Sequence, residues 1–289
     1  MGVSHSTARY LAPASFLYDF AAQQYGILST PSMKDIHDRN LAFWSPNPYF
    51  IGAFFFPQQL FQLAWLWRLW KSDPKKSAKD REEADTIRDF VPWYALGNVC
   101  IGTWMFFWNN NRLDLSNIFV IVNSCAQLYY VFTKLAQPEN QLNLRSPSSI
   151  LTHVVSKTFA GIGVLDLLHN TSAAYFVDQS PSFLTKILTG VGFGALALAP
   201  GTDWIFGGCL VYDLVALTVG QAQWGKDPGW AGLLGAYAVG TAAIVGLKNW
   251  FRPPYEESAT HFDTAVRIYV SPYLVPQAEK ESRNSMFLA

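Results

Sequence analysis

The chain has 289 residues and a charged fraction of 15%, against about 25% in soluble globular proteins, while 50% of it is hydrophobic and 16% aromatic. Its 21 basic and 21 acidic residues cancel, which excludes both the basic field of a nucleic-acid-binding protein and the charge-rich composition of a disordered one. The mean hydropathy of +0.11 understates the apolar content, because that scale scores Trp, Tyr and Pro as mildly polar and the chain is rich in all three.

Residues 1–47 lack the basic region, short apolar core and small-residue cleavage site of a removable signal peptide. Met1-Gly2-Val3-Ser4-His5-Ser6 fits the N-myristoylation pattern. Residues 10–28 are long enough for an eighth span, but Asp19 and two Gln among the apolar residues favour an interfacial amphipathic helix in an extramembrane segment. Seven apolar runs of spanning length follow, at 48–70, 91–110, 116–137, 150–172, 183–199, 202–222 and 230–251. The fifth is short and Gly-rich. The expected fold is therefore all-α, a polytopic integral membrane bundle of about seven transmembrane helices over 48–251. A charged loop lies at 71–90 and a cytoplasmic tail at 252–289. The three cysteines lie inside apolar runs and imply no disulfide framework.

The positive-inside rule counts Lys and Arg. The N-terminal segment and the loops on its side hold Arg9, Lys34, Arg39, Arg112 and Lys226. The other side collects Lys71, Lys75, Lys76, Lys79, Arg81, Arg88, Arg145, Arg252, Arg267, Lys280 and Arg283. This predicts a lumenal N-terminus and a cytoplasmic C-terminus, in the endoplasmic reticulum, opposite to what N-myristoylation requires. The Asn170-Thr171-Ser172 sequon falls too close to the bilayer for ready glycosylation.

Polar side chains inside a span cost free energy unless they meet a partner or a wet cavity. At a rise of ~1.5 Å per residue, Asp213 falls about 16 Å from the cytoplasmic face. Gln58 and Gln127 reach a similar depth from the other side. Asn98 and Lys157 lie about 10 Å from the cytoplasmic face, so five spans contribute to one polar slab. Asp213 has no neighbouring charge in sequence and either pairs with Lys157 or takes a proton. Asp166 and His169, three apart on one helical face, permit a hydrogen-bonded acid and imidazole able to handle a proton. Trp104 and Phe55 could line a pocket for a flat or polyene ligand. Pro57 frees a backbone carbonyl beside Gln58 and Gln59. Asp203 reads as a helix cap, and His5, His37 and His261 are isolated in sequence. No P-loop, HExxH, CxxC pair or aspartate-rich diphosphate motif is present, so no cofactor or metal is expected. The expected contacts are the lipid bilayer and a lipophilic small molecule.

In size, span number, aromatic richness and lone intramembrane carboxylates, the chain resembles the small polytopic terpene cyclases of fungal meroterpenoid biosynthesis. That resemblance implies protonation of an epoxyfarnesyl-type substrate supplied by upstream prenyltransferase and epoxidase enzymes. Asp213 would be the acid, Asp166 the second candidate, and Trp104 and Phe55 would stabilise the cation. A local stretch, Asn98-Val-Cys-Ile-Gly-Thr-Trp-Met-Phe-Phe-Trp108, looks like the third span of tryptophan-rich translocator proteins, which have five spans and bind porphyrins and sterols. The alternative to a cyclase is accordingly a non-catalytic transporter or lipophile-binding protein.

Overall fold

The computed structural model describes residues 3–251, apart from the side chains at 78, 79 and 139. Met1 and Gly2 of the acylation pattern, and the tail 252–289 with its basic residues and His261, lie outside the described residues. The described chain is helical: α1 (His5–Leu28), α2 (Met33–Arg39), α3 (Pro48–Lys71), α4 (Ala78–Asn109), α5 (Leu113–Tyr129), α6 (Pro147–Tyr175), α7 (Phe183–Leu198), α8 (Trp204–Trp224) and α9 (Pro228–Trp250). A π-helical turn, Tyr130–Lys134, prolongs α5.

Most helices begin at a side chain that accepts a hydrogen bond from the orphan amides of the first turn. Ser4, Ser32, Asn47, Ser77, Ser146, Ser182 and Asp203 do this for α1, α2, α3, α4, α6, α7 and α8. Pro48 and Pro147 follow their caps, where a missing N–H costs nothing.

All seven apolar runs are helices. Five helical stretches among the described residues are long and apolar enough to cross a membrane: Asp80–Asn109, Leu113–Lys134, Pro147–Tyr175, Trp204–Trp224 and Pro228–Trp250. The other two fall short for different reasons. The α7 helix has 16 residues, whereas the 24-residue α3 is diluted by Gln58, Gln59, Gln62 and Arg68. It nevertheless turns Phe56, Leu60, Leu63 and Trp67 outward. The charged 71–90 connector is not a separate element, since its second half runs unbroken through Pro92 into α4.

The helices pack in the order α1 on α4, α4 on α5, α5 on α6 and α6 on α8, with α3 against α6. The central helix is α6, buried along most of its length. Its contact with α8 is made at Gly161, where an added Cβ would lie 2.3 Å from Cβ of Cys209. Peripheral α9 reaches α7 through Tyr237, whose hydroxyl donates to the Lys186 carbonyl at 2.9 Å.

The N-terminal helix departs from expectation. Its first turn touches the loop after α3, with His5 Nε2 3.2 Å from the Ser72 carbonyl and Arg9 donating to the same oxygen. Its last turn meets the end of α4, where Asn109 Nδ2 donates to the Gly26 carbonyl at 3.3 Å. Thus α1 runs parallel to α4 for about 36 Å and starts at the end of the bundle that carries the basic 71–77 loop, not at the opposite end. Small residues let the two helices close, since added Cβ atoms at Gly26 and Gly102 would lie 2.1 Å from Met105 Sδ and 2.6 Å from the Tyr18 ring; Asp19 is buried in that contact and accepts from Gln23 Nε2 at 3.1 Å. A neighbouring helix, rather than headgroup water, covers it.

Candidate functional site

Two helices bring amides into the interior as pairs four residues apart, Gln58 with Gln62 on α3 and Asn123 with Gln127 on α5, and α4 sets Asn98 four residues after Tyr94, the spacing that puts side chains on one helical face. On α3 and α4, Gln62 donates to Gln58, Tyr94 Oη donates to Gln62 Oε1 at 2.6 Å, and Asn98 Nδ2 donates to the Tyr94 carbonyl at 2.9 Å. On α5, Gln127 Nε2 donates to the Trp93 carbonyl at 2.8 Å, and both Gln127 and Asn123 crowd Gly97 of α4. Several buried atoms here have no partner among the described residues: Gln58 Nε2, Asn98 Oδ1, Asn123 Oδ1 and Gln127 Oε1. Folded interiors satisfy roughly 90% or more of such groups, so a local concentration of orphans marks a place built for something else.

Asp213 on α8 is fully buried, and neither carboxylate oxygen has a partner. One turn before it, Gly161 and Cys209 lock α6 to α8, which carries Asp166 to about the same level as Asp213. Asp166 keeps part of its surface accessible although α3, α4, α5 and α8 surround its helix. The register extends to the amides, because Ser124 Oγ of α5 donates to the Gly163 carbonyl of α6 at 2.7 Å. Asn98, Asn123, Asp166 and Asp213 therefore lie within about two helical turns of one another in depth.

Of the two alternatives for Asp213, the pairing with Lys157 is not made, and neither is the pair that the spacing of Asp166 and His169 permits. Lys157 does not reach Asp213; its ammonium lies 2.7 Å from Asp203, whose other oxygen accepts the amides of Ile205 and Phe206 as the cap of α8. Asp166 does not pair with His169 either. Instead His169 Nε2 stands 3.2 Å from Nδ1 of His37 on α2. The reason is that α2 folds over this end of the bundle, carrying Ile36 into a small core with Trp108, Leu113 and Ala173. His37 is edge-on to Trp224 at 5.7 Å, and its burial holds its imidazole down at about 4.

The aromatic candidates separate. Trp104 belongs to the α2 end, where it donates to Asn170 Oδ1 at 2.6 Å and lies tilted on Trp108 at 5.4 Å. Phe55 sits on α3, half-buried beside Phe54, which in turn faces Tyr212 at 5.5 Å. A cavity of about 60 Å³ opens below α2, lined by Leu41, Phe43, Asp178, Gln221, Trp224 and Lys226. It is too small for a lipophile, which needs roughly 300 Å³ or more.

Sequence reasoning missed Gln62, Tyr94, Asn123 and His37. The first three had a legible signal, since each stands four residues from a residue already selected for depth. His37 had none. Among the described residues, no three His, Cys, Asp or Glu side chains gather as a metal cage.

A profile of the family described as TSPO-like protein matches residues 11–247. No curated protein and no solved structure matches the chain.

Proposed function

Because the chain belongs to the TSPO-like protein family, we propose that this multi-pass membrane protein binds a lipophilic small molecule within its helical bundle, holding the molecule's polar end at the level of Asn98, Asn123, Gln127 and Asp213. The observation that carries this reading is the set of buried polar atoms at one depth with no protein partner. Orphaned groups of this kind cost about 1–3 kcal/mol each, a cost that a ligand offering matching groups removes. Purified protein in nanodiscs should quench its own Trp fluorescence on adding a porphyrin or a sterol fluorophore. Replacing Asn98 and Gln127 together by Leu should weaken that binding by about tenfold. Unchanged affinity in the double variant would count against the site.

Acid-catalysed cyclisation, implied by the terpene-cyclase resemblance, draws support from one observation, the unpartnered buried carboxyl of Asp213 beside Asp166. It requires microsomes to turn over an epoxyfarnesyl substrate, and Asp213→Asn to stop them.

We also propose a revised orientation. If α1 crosses the bilayer beside α4, the N-terminal turn lies on the side of the basic loop 71–77, which the Lys and Arg excess assigns to the cytoplasm. The α2 end would then face the lumen of the endoplasmic reticulum.

A further inference from the structure

We infer that the ligand's polar end is a basic amine, bound as its ammonium at Asp213, with Asp166 at the same level of the neighbouring helix; this rests on the lipophile-binding reading above and specifies its substrate class. The first argument is the character of the unmet hydrogen-bonding capacity. Asn98 Oδ1, Asn123 Oδ1, Gln127 Oε1 and both oxygens of Asp213 are acceptors, against the single donor Gln58 Nε2. Nor does turning the amides over reverse this balance. The nitrogens of Asn98 and Gln127 donate to the carbonyls of Tyr94 and Trp93, which fixes their oxygens as the free ends. The interior therefore calls for a ligand that donates, and an ammonium supplies donors with no acceptor.

The second argument is charge. Cations on the neighbouring helices are committed elsewhere: Lys157 to Asp203, Lys186 to Asp227, Arg68 to Glu83, and Lys248 to the carbonyls of Ala197 and Ala199. Asp213 thus has neither an ion pair nor a hydrogen bond among the described residues. A protonated carboxyl escapes the cost of a buried charge but still leaves its hydroxyl without an acceptor. An ammonium provides both the charge and the donors. The surroundings set the rest of the molecule. Leu210, Leu214 and Leu217 of α8 and Leu165 of α6, close to the acids in sequence, are buried, and an amine carried on an apolar body suits such surroundings. Asp166, the more accessible of the two, is the first carboxyl an entering ligand would meet.

Three sterols that differ only at one position test this, bearing a 3-amino group, a 3-hydroxyl or a 3-hemisuccinate. Each is titrated into the full chain in nanodiscs with Trp fluorescence as the readout. The expected result is about tenfold tighter binding of the aminosterol than of the alcohol, with the hemisuccinate weakest. That preference should disappear in Asp213→Asn, shrink in Asp166→Asn and survive in Asp213→Glu. Equal binding of amine and alcohol by the parent overturns the amine inference and leaves lipophile binding standing. Failure of all three to bind overturns both. The parent's preference is read without any variant, so a poorly folding Asp213→Asn does not remove the test.

Discussion

The Lys157 ammonium sits 2.7 Å from the carboxylate of Asp203, 46 residues away in sequence. This pair joins the first third of α6 to the start of α8, and it leaves Asp213 without a basic partner. The two members are unequal. Asp203 also caps α8 through two backbone amides, whereas Lys157 makes only the ion pair. Asp203→Ala should therefore cost about 3 kcal/mol, combining a lost cap with a buried, unpaired lysine. Lys157→Met, which leaves the cap intact, should cost about 1 kcal/mol. Denaturant titration in mild detergent measures both, and the reverse order would contradict the assignment.

The contact between Gly161 and Cys209 sets the spacing of the helices that carry Asp166 and Asp213. Gly161→Ala should force α6 and α8 apart and weaken ligand binding by tenfold or more, an overpacking cost of about 1–3 kcal/mol. Adding Cys209→Gly should restore much of the loss. By contrast, Gly240→Ala has open space around its Cβ and should be neutral. A double-mutant cycle with no coupling between 161 and 209 would show that this contact does not set the spacing.

Burial of His37, on the inner face of α2, makes stability depend on acid. Its folded value of about 4 lies below the ordinary 6.5, so the unfolded chain takes up the proton first. The contribution is complete above pH ~6.5 and is lost as the pH falls through about 4, amounting to about 3 kcal/mol. Titratable groups facing His37 are His169 from α6, with Asp38 and Lys34 on its own helix. His37→Asn should flatten the fall in stability between pH 7 and 4 relative to the parent. Superimposable profiles would refute this.

Asn170 is the acceptor of a glycosylation sequon, yet its amide is buried and engaged at both ends. Its Nδ2 donates to the Asp166 carbonyl at 2.9 Å and its Oδ1 accepts from Trp104 at 2.6 Å. Expressed in a eukaryotic cell, the protein should show no mobility shift on endoglycosidase treatment.

Placement of α1 beside α4 predicts that cysteines introduced at Ser4 and Lys75 label from the same side of sealed microsomes, and one at Lys226 from the other. Labelling of positions 4 and 75 from opposite sides would return α1 to the membrane surface.

Much of the helical frame was legible in the sequence. Ser, Asn or Asp stands before seven of the helices, and Asp203 was identified as a cap because a helical amide needs a partner within one turn. Partnerships were not legible. His37 was read as isolated, yet it meets His169, 132 residues away. Asp19 suggested a helix on the membrane surface, whereas a groove at Gly102 of α4 covers it. Asp213 was correctly placed in the interior, but its expected partner Lys157 is held by Asp203.

The sequence by itself determined the apolar surroundings and the helical secondary structure. An α-helix closes its hydrogen bonds within four residues, and a bilayer demands that closure, so local information suffices. Only the tertiary structure decided which polar groups meet and which are left with unmet acceptors. In a helix that is apolar all round, lipid and protein are nearly equivalent neighbours, so hydropathy leaves rotation and helix order open. Close contacts such as Gly161 against Cys209 and buried pairs such as Lys157 with Asp203 settle both, and they set Asp166 and Asp213 at one level.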